Sequence, residues 1–125
     1  MTTMTEPQLR DRATAVVIRN GKVLLVHGRG PVYMMPGGGI EPHESPASAA
    51  ERELFEETGL TAAQTDYQFI IETAINRHHV FLIEACGEVD IGSTPDGETI
   101  GGYIWWDRQE AIEAFGHVEA ILERL

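Results

Sequence analysis

Four glutamates and one arginine stand at fixed spacing in the stretch GGIEPHESPASAAERELFEETGL, residues 38–60: Glu44, Arg52, Glu53, Glu56 and Glu57. On a helix, residues three and four apart share a face, so Glu53 meets both Glu56 and Glu57. Like charges at that spacing cost roughly 0.2–0.5 kcal/mol per pair when exposed, and more when partly buried. A divalent cation removes the conflict. Carboxylate and carbonyl oxygens suit hard ions such as Mg2+ or Mn2+, which keep several waters and bridge to phosphate oxygens. No Cys/His set has the spacing of a zinc finger, so Mg2+ is the expected ion, with Mn2+ as the alternative.

The carboxylates need an element to position them, and the sequence supplies its ends. Ser45 can accept from an orphan backbone N–H, and Pro46 at the first helical position loses no hydrogen bond there. Strong helix formers run from Ala47 to Glu57, and Gly59 is placed to end the helix in a left-handed conformation. Ala47, Ala50 and Leu54 recur at helical spacing on another face and are expected to pack on a core.

The spacing is more specific than a run of acids. Gly38 is followed after five residues by Glu44 and after seven more by Arg52; Glu53, Leu54, Glu56, Glu57, Gly59 and Leu60 complete the pattern. This is G-x5-E-x7-R-E-U-x-E-E-x-G-U, with U a bulky apolar residue, and the chain resembles the Nudix hydrolases. The resemblance implies an α/β fold, the Nudix-type α/β/α sandwich around a mixed β-sheet, with the box as a loop–helix–loop. It also implies cleavage of a diphosphate linked to another moiety. Mg2+ held by Glu53, Glu56 and Glu57, with the Gly37 carbonyl, would neutralise the diphosphate oxygens as water attacks phosphorus. A glutamate would take the proton from water: Glu56 or Glu57, with Glu98 as the alternative.

Glu98 lies in DGETIGGYIWW, a segment similar to one that carries a metal ligand or general base in family members. Arg52 is expected to orient the carboxylates through paired hydrogen bonds. Glu44 would stabilise the loop–helix arrangement or join the metal shell through water. Met35 to Gly39 resembles the turn that precedes the box, where Gly38 and Gly39 let the backbone approach phosphates closely. Arg29 and Arg77, both in expected loops, are candidates for substrate phosphate contacts.

Substrate markers are absent. ADP-ribose hydrolases tend to carry a proline downstream of the box and dinucleoside polyphosphate hydrolases a tyrosine; Ile75 to His78 offer neither. The array SQPWPFPxS associated with NADH hydrolases is missing too. The resemblance therefore points to a MutT-like (deoxy)nucleoside triphosphate pyrophosphatase. The alternatives are hydrolysis of ADP-ribose, sugar nucleotides or dinucleoside polyphosphates, or a non-catalytic nucleotide sensor. A sensor could lose a box glutamate or Arg52 without penalty, and all are present. Tyr33, Tyr67, Phe69, Tyr103, Trp105 and Trp106 could each offer a stacking face, and alternation puts Trp105 and Trp106 on opposite sides of a strand.

The rest of the chain frames this site. At 125 residues it reads as one domain, 1–125, with only the first dozen residues expected to lack order. Nine basic against twenty acidic residues give a net charge of -11, which argues against nucleic-acid polymers and anionic membranes as partners. A small nucleotide or nucleoside diphosphate derivative is the expected partner, and a homodimer is compatible with the size. The lone Cys86 reads as a small buried hydrophobe. The N-terminus MTTMTEPQLRDR has no apolar signal region and no run reaches membrane-spanning length, so a cytoplasmic location is expected.

Two β-rich runs, Ala13 to Arg19 and Lys22 to His27, flank Asn20-Gly21, the strongest short hairpin signal. Tyr67 to Ala74 and His79 to Ala85 read as a second strand pair with Asn76 to His78 at the turn, and Gly102 to Trp106 as a last strand. Asp107 with Glu110 reads as a capping box opening a helix that Gly116 breaks, before a short helix from His117 to Leu125.

Overall fold

The computed structural model describes residues 8–92 and 100–125. The elements in order are Arg10–Val16 (β1), Ile18–Arg19 (β2), Lys22–His27 (β3), Gly37–Gly39 (β4), Pro46–Thr58 (α1), Thr61–Glu72 (β5), Asn76–Cys86 (β6), Gly102–Trp106 (β7) and Gly116–Arg124 (α2). Two sheets form, one ordered β4-β1-β6-β5 and one ordered β2-β3-β7. The first is mixed: β1 runs parallel to β6, from Arg10 opposite Asn76 to Val16 opposite Leu82, while β4 and β5 pair antiparallel.

Alternation along the central strands explains the layers. Successive side chains point to opposite faces, so a strand apolar on both faces must be covered on both. Ala13, Ala15 and Val17, with Leu24, Phe81 and Ile83, pack against Ala49, Ala50 and Leu54 of α1. Val16, Val23, Leu25 and Val80 pack with Val118, Ile121 and Leu122 of α2. Trp105 joins the first cluster and Trp106 the second, as alternation requires. Among the described residues no helix is long and apolar enough to cross a membrane.

The Asn20-Gly21 turn forms as expected, with φ of 52° and 76° and Ile18 opposite Val23. The single strand expected before it is divided at Val17: β1 pairs with β6, and β2 pairs with β3. One apolar run thereby serves both sheets.

Several expectations are corrected. Asn76 to His78 do not form a turn but open β6; the turn is Thr73 to Ile75, closed by Thr73 N donating to Asn76 O and Asn76 N to Thr73 Oγ1. Asp107 begins no helix. Its Oδ1 accepts from Gln109 N and Glu110 N, but Glu110 O is taken by Trp106 Nε1 and Ala114 pairs in parallel with Tyr33, holding the chain extended. Gly116 is the first residue of α2 rather than a breaker. Cys86 is exposed, because it ends β6 opposite Thr61 where the ladder runs out.

A polar pocket is built into the second core. Thr14 Oγ1 and His78 Nδ1 are 2.8 Å apart, and Met35 N donates to His117 Nε2 at 3.2 Å. His78 is 1% exposed and His117 8%. Burial, then Arg12, holds His78 down at about 4; burial, then His78 and Arg12, holds His117 down at about 3. Both rings bind a proton more readily in the unfolded chain. Their contribution to stability is therefore complete above about pH 6.5 and is lost as the pH falls toward the folded values. Each ring should cost about 1.4 kcal/mol of unfolding free energy per pH unit in that window. Urea melts of wild type, His78→Asn and His117→Gln at neutral and mildly acidic pH measure the difference; each variant should show a shallower loss on acidification than wild type.

Candidate functional site

The helix carrying the carboxylates is capped at both ends as its sequence demands. Ser45 accepts from Ser48 N, Pro46 fills the first turn, and Gly59 at φ 78° returns its N–H to Phe55 O. Ala49, Ala50 and Leu54 fix the buried face. That rotation sets the charged residues against β4 and the loop that follows it.

Arg52 organises the cluster. Its Nε and Nη2 donate to the two oxygens of Glu44 at 3.0 and 2.6 Å, a bidentate fork. Nη1 donates to Glu53 Oε1 at 2.9 Å and Glu56 Oε2 at 3.1 Å, and Nη2 also reaches Gly39 O at 3.0 Å. The Arg52 bonds, then the Glu41 N–H, bring the Glu44 carboxyl down to about 2. Glu44 accepts from Glu41 N as well, so it ties the loop to the helix. Arg52, expected to orient the carboxylates, thus bonds Glu44, Glu53 and Glu56 at once.

Glu57 sits differently. Its Oε1 accepts from Gly37 N at 3.2 Å. Burial raises its pKa most; the Gly37 bond and Arg12 oppose, while Glu53 adds to the rise by charge and by a shared hydrogen bond. Glu53 itself lies against the backbone of Gly38.

The glycines are thus strand residues rather than the expected turn. β4 pairs with β1, Thr14 opposite Gly37 and Arg12 opposite Gly39. A Cβ on Gly37 would overlap the Ala13 carbonyl oxygen, and one on Gly38 would overlap the Glu53 carboxylate. The two positions should therefore fail differently. Gly37→Ala forces backbone apart and should lower stability by about 1–3 kcal/mol. Gly38→Ala meets only the end of a flexible side chain, so Tm should move little while Glu53 is displaced and activity falls. Thermal melts beside turnover assays separate the two.

The structure places the other expected residues unequally. Arg77 lies in β6, not a loop, and its guanidinium is engaged by Glu72 at 2.9 Å and Asp11 at 3.3 Å. Arg29 is in the exposed loop after β3. Glu98 lies outside the described residues. A second cation beside the carboxylates is Arg12, which the sequence reading passed over because it stands in the N-terminal stretch set aside as unordered. Its Nη2 donates to Met35 O at 3.0 Å; burial lowers its pKa, and Glu57 and Glu53 oppose that. The signal was available: extending the β1 alternation back two residues from Thr14 puts Arg12 on the same face.

Among the described residues no three His, Cys, Asp or Glu side chains converge as a ready-made cage for an ion. Arg52 draws Glu53 and Glu56 onto Nη1 instead. The donor set still fits a hard divalent cation. It offers oxygens only, and the half-buried Glu57 is crowded against Glu53 so that a positive charge there relieves both. Glu53, Glu56, Glu57 and the Gly37 carbonyl are the groups that would hold it.

Comparison with known proteins agrees with this geometry. A family model described as NUDIX domain matches residues 9–123. The chain is 36% identical over 78 residues to diphosphoinositol polyphosphate phosphohydrolase 2 of Rattus norvegicus, covering 62% of this chain and 44% of the relative. It is 49% identical over 37 residues to the RNA pyrophosphohydrolase of Cereibacter sphaeroides, covering 30% of this chain and 23% of that one. These matches span less than half the length of the curated relatives. A solved structure, the MutT NUDIX hydrolase from Burkholderia pseudomallei, superposes with a TM-score of 0.79 at 21% identity, covering 94% of this chain and 98% of that one.

Proposed function

The chain belongs to the NUDIX domain family, and from that premise we propose that it is a metal-dependent hydrolase of nucleoside triphosphates, releasing a nucleoside monophosphate and pyrophosphate. The observation that carries this is the Arg52 fork, which gathers Glu44, Glu53 and Glu56 beside a half-buried Glu57. A binding protein has no need of so complete a carboxylate cluster.

Mg2+, with Mn2+ as its substitute, would supply Lewis acidity toward the phosphates and lower the pKa of water. The chain's own groups do the rest. Glu57 is oriented by Gly37 N, Glu53 and Glu56 by Arg52, and Glu56 or Glu57 accepts the proton from the attacking water. Gly38 and Gly39, lacking side chains, would let the backbone approach the phosphates closely.

The substrate reading rests on the absence of markers for ADP-ribose and dinucleoside polyphosphates at Ile75 to His78. It is tested by product release from nucleoside triphosphates, ADP-ribose, sugar nucleotides, dinucleoside polyphosphates and a diphosphoinositol polyphosphate, each with Mg2+ and with Mn2+. Metal-dependent pyrophosphate release from triphosphates supports the proposal. Turnover confined to another member of the panel reassigns the substrate, and nucleotide binding with no turnover makes the protein a sensor.

A further inference from the structure

Two neighbouring side chains in the second core each keep one buried nitrogen without a hydrogen-bond partner among the described residues: Arg12 Nε and His78 Nε2. Arg12 stands opposite His78 where β1 runs parallel to β6. Thr14, two residues further along β1 and so on the same face as Arg12, brings Oγ1 to 2.8 Å from His78 Nδ1. Paired strands lie about 4.8 Å apart, so the Arg12 and His78 side chains are adjacent.

Buried polar atoms are normally satisfied, and the chemistry of these two names the partner they need. Arg12 Nε can only donate. His78 is 1% exposed and burial keeps its ring neutral, so one ring nitrogen carries a hydrogen and the other accepts. If Nδ1 donates to Thr14, the atom between Arg12 and Nε2 must accept from the first and donate to the second. If Thr14 donates to Nδ1, that atom must accept from both. A water oxygen serves either arrangement. A carboxylate or phosphate oxygen serves only the second.

Arg12 links this spot to the carboxylates. Its Nη2 donates to Met35 O at 3.0 Å, and its charge acts on Glu57 and Glu53. Met35 begins the segment that cradles Glu57. Met35 N donates to His117 Nε2 at 3.2 Å, Ala15 N to Pro36 O at 2.8 Å, and Gly37 N to Glu57 Oε1 at 3.2 Å. A guanidinium held at Nη2 alone can still turn; a second bond at Nε fixes its plane.

We propose that His78 is a positioning residue for the hydrolysis: through one internal water on its Nε2 it fixes the Arg12 guanidinium, and Arg12 holds Met35 to Gly37, and with them Glu57, in place. This rests on the hydrolase reading above and adds a residue buried away from both substrate and metal.

The test uses two substitutions of one residue. Asparagine copies the Nδ1 of histidine and glutamine copies its Nε2, while both lose the ring stack on His117. A merely structural role would leave the two variants alike. His78→Asn should lower kcat roughly tenfold with KM little changed, the scale seen when an outer-shell partner is lost. His78→Gln should recover most of kcat. NMR of the substrate-free protein reads the water without any turnover: the Arg12 Nε–H should exchange slowly and show a cross-peak to a bound water. That cross-peak should vanish in His78→Asn and persist in His78→Gln. The proposal is overturned if wild type shows no such water, if both variants lose kcat equally, or if His78→Asn turns over like wild type. A contact to Arg12 Nε–H that forms only on adding phosphate also overturns it, by giving the place to an oxygen of the substrate. A bound water in a protein that turns over nothing overturns the hydrolase reading and the role of His78 with it; turnover without the water overturns this proposal alone.

Discussion

Glu57→Gln should lower kcat about a thousandfold, inside the range expected when an acid–base group is removed, and leave the metal-free protein at least as stable as wild type. The two halves have one cause. Glu57 is half-buried beside Glu53, and its desolvation disfavours the charged form. Glutamine keeps an oxygen for the Gly37 N–H and carries no charge, so the metal-free fold gives up little. The folded carboxyl titrates above its ordinary value of 4.5, so its favourable contribution is complete below about pH 4.5 and fades as the pH rises through the folded value. The variant should lack that dependence. A metal-free thermal melt at neutral pH would show Tm equal or higher in Glu57→Gln, and added Mg2+ would raise Tm in wild type much more than in the variant. A large drop in metal-free Tm would mean that Glu57 is a structural residue.

Arg52→Lys should be the second most damaging change, although charge is conserved. A planar fork satisfies both oxygens of Glu44 and still reaches Glu53, Glu56 and Gly39 O; an ammonium is a point donor that cannot span them. Stability should fall by about 1–2 kcal/mol, the scale of charge-assisted bonds that are part-exposed. Activity should fall roughly a hundredfold as Glu53 and Glu56 lose their orientation. Glu44 supplies an independent readout. Its carboxyl, down at about 2 because of Arg52, should titrate closer to its ordinary range in the variant. Carboxyl NMR would follow that shift, and a Glu44 pKa unmoved by Arg52→Lys would refute the fork as the organising contact.

How legible the molecule was depended on the range of each interaction. The helix of the box could be read end to end because Ser45, Pro46 and Gly59 act on their immediate neighbours. The β2–β3 turn was equally local. Asp107 shows the limit of that reasoning: its side chain makes the capping bonds, but Trp106 and Tyr33 claim the backbone that a helix would need. The Asn76 to His78 segment failed likewise, because a parallel partner in β1 extends β6 past the point where its own residues suggest a turn.

By itself, the sequence determined the spacing of Glu53, Glu56 and Glu57, the arginine beside them, and the helix that presents them, because all three follow from positions along one element. Only the tertiary structure decided that Glu57 would accept from Gly37 N, that Arg12 would face the cluster, and that His78 and His117 would stack as buried rings. Those depend on β1 lying between β4 and β6, a pairing between residues up to 66 positions apart. No local propensity encodes such a contact; it forms because burying both faces of β1 outweighs the entropy of closing the chain around it.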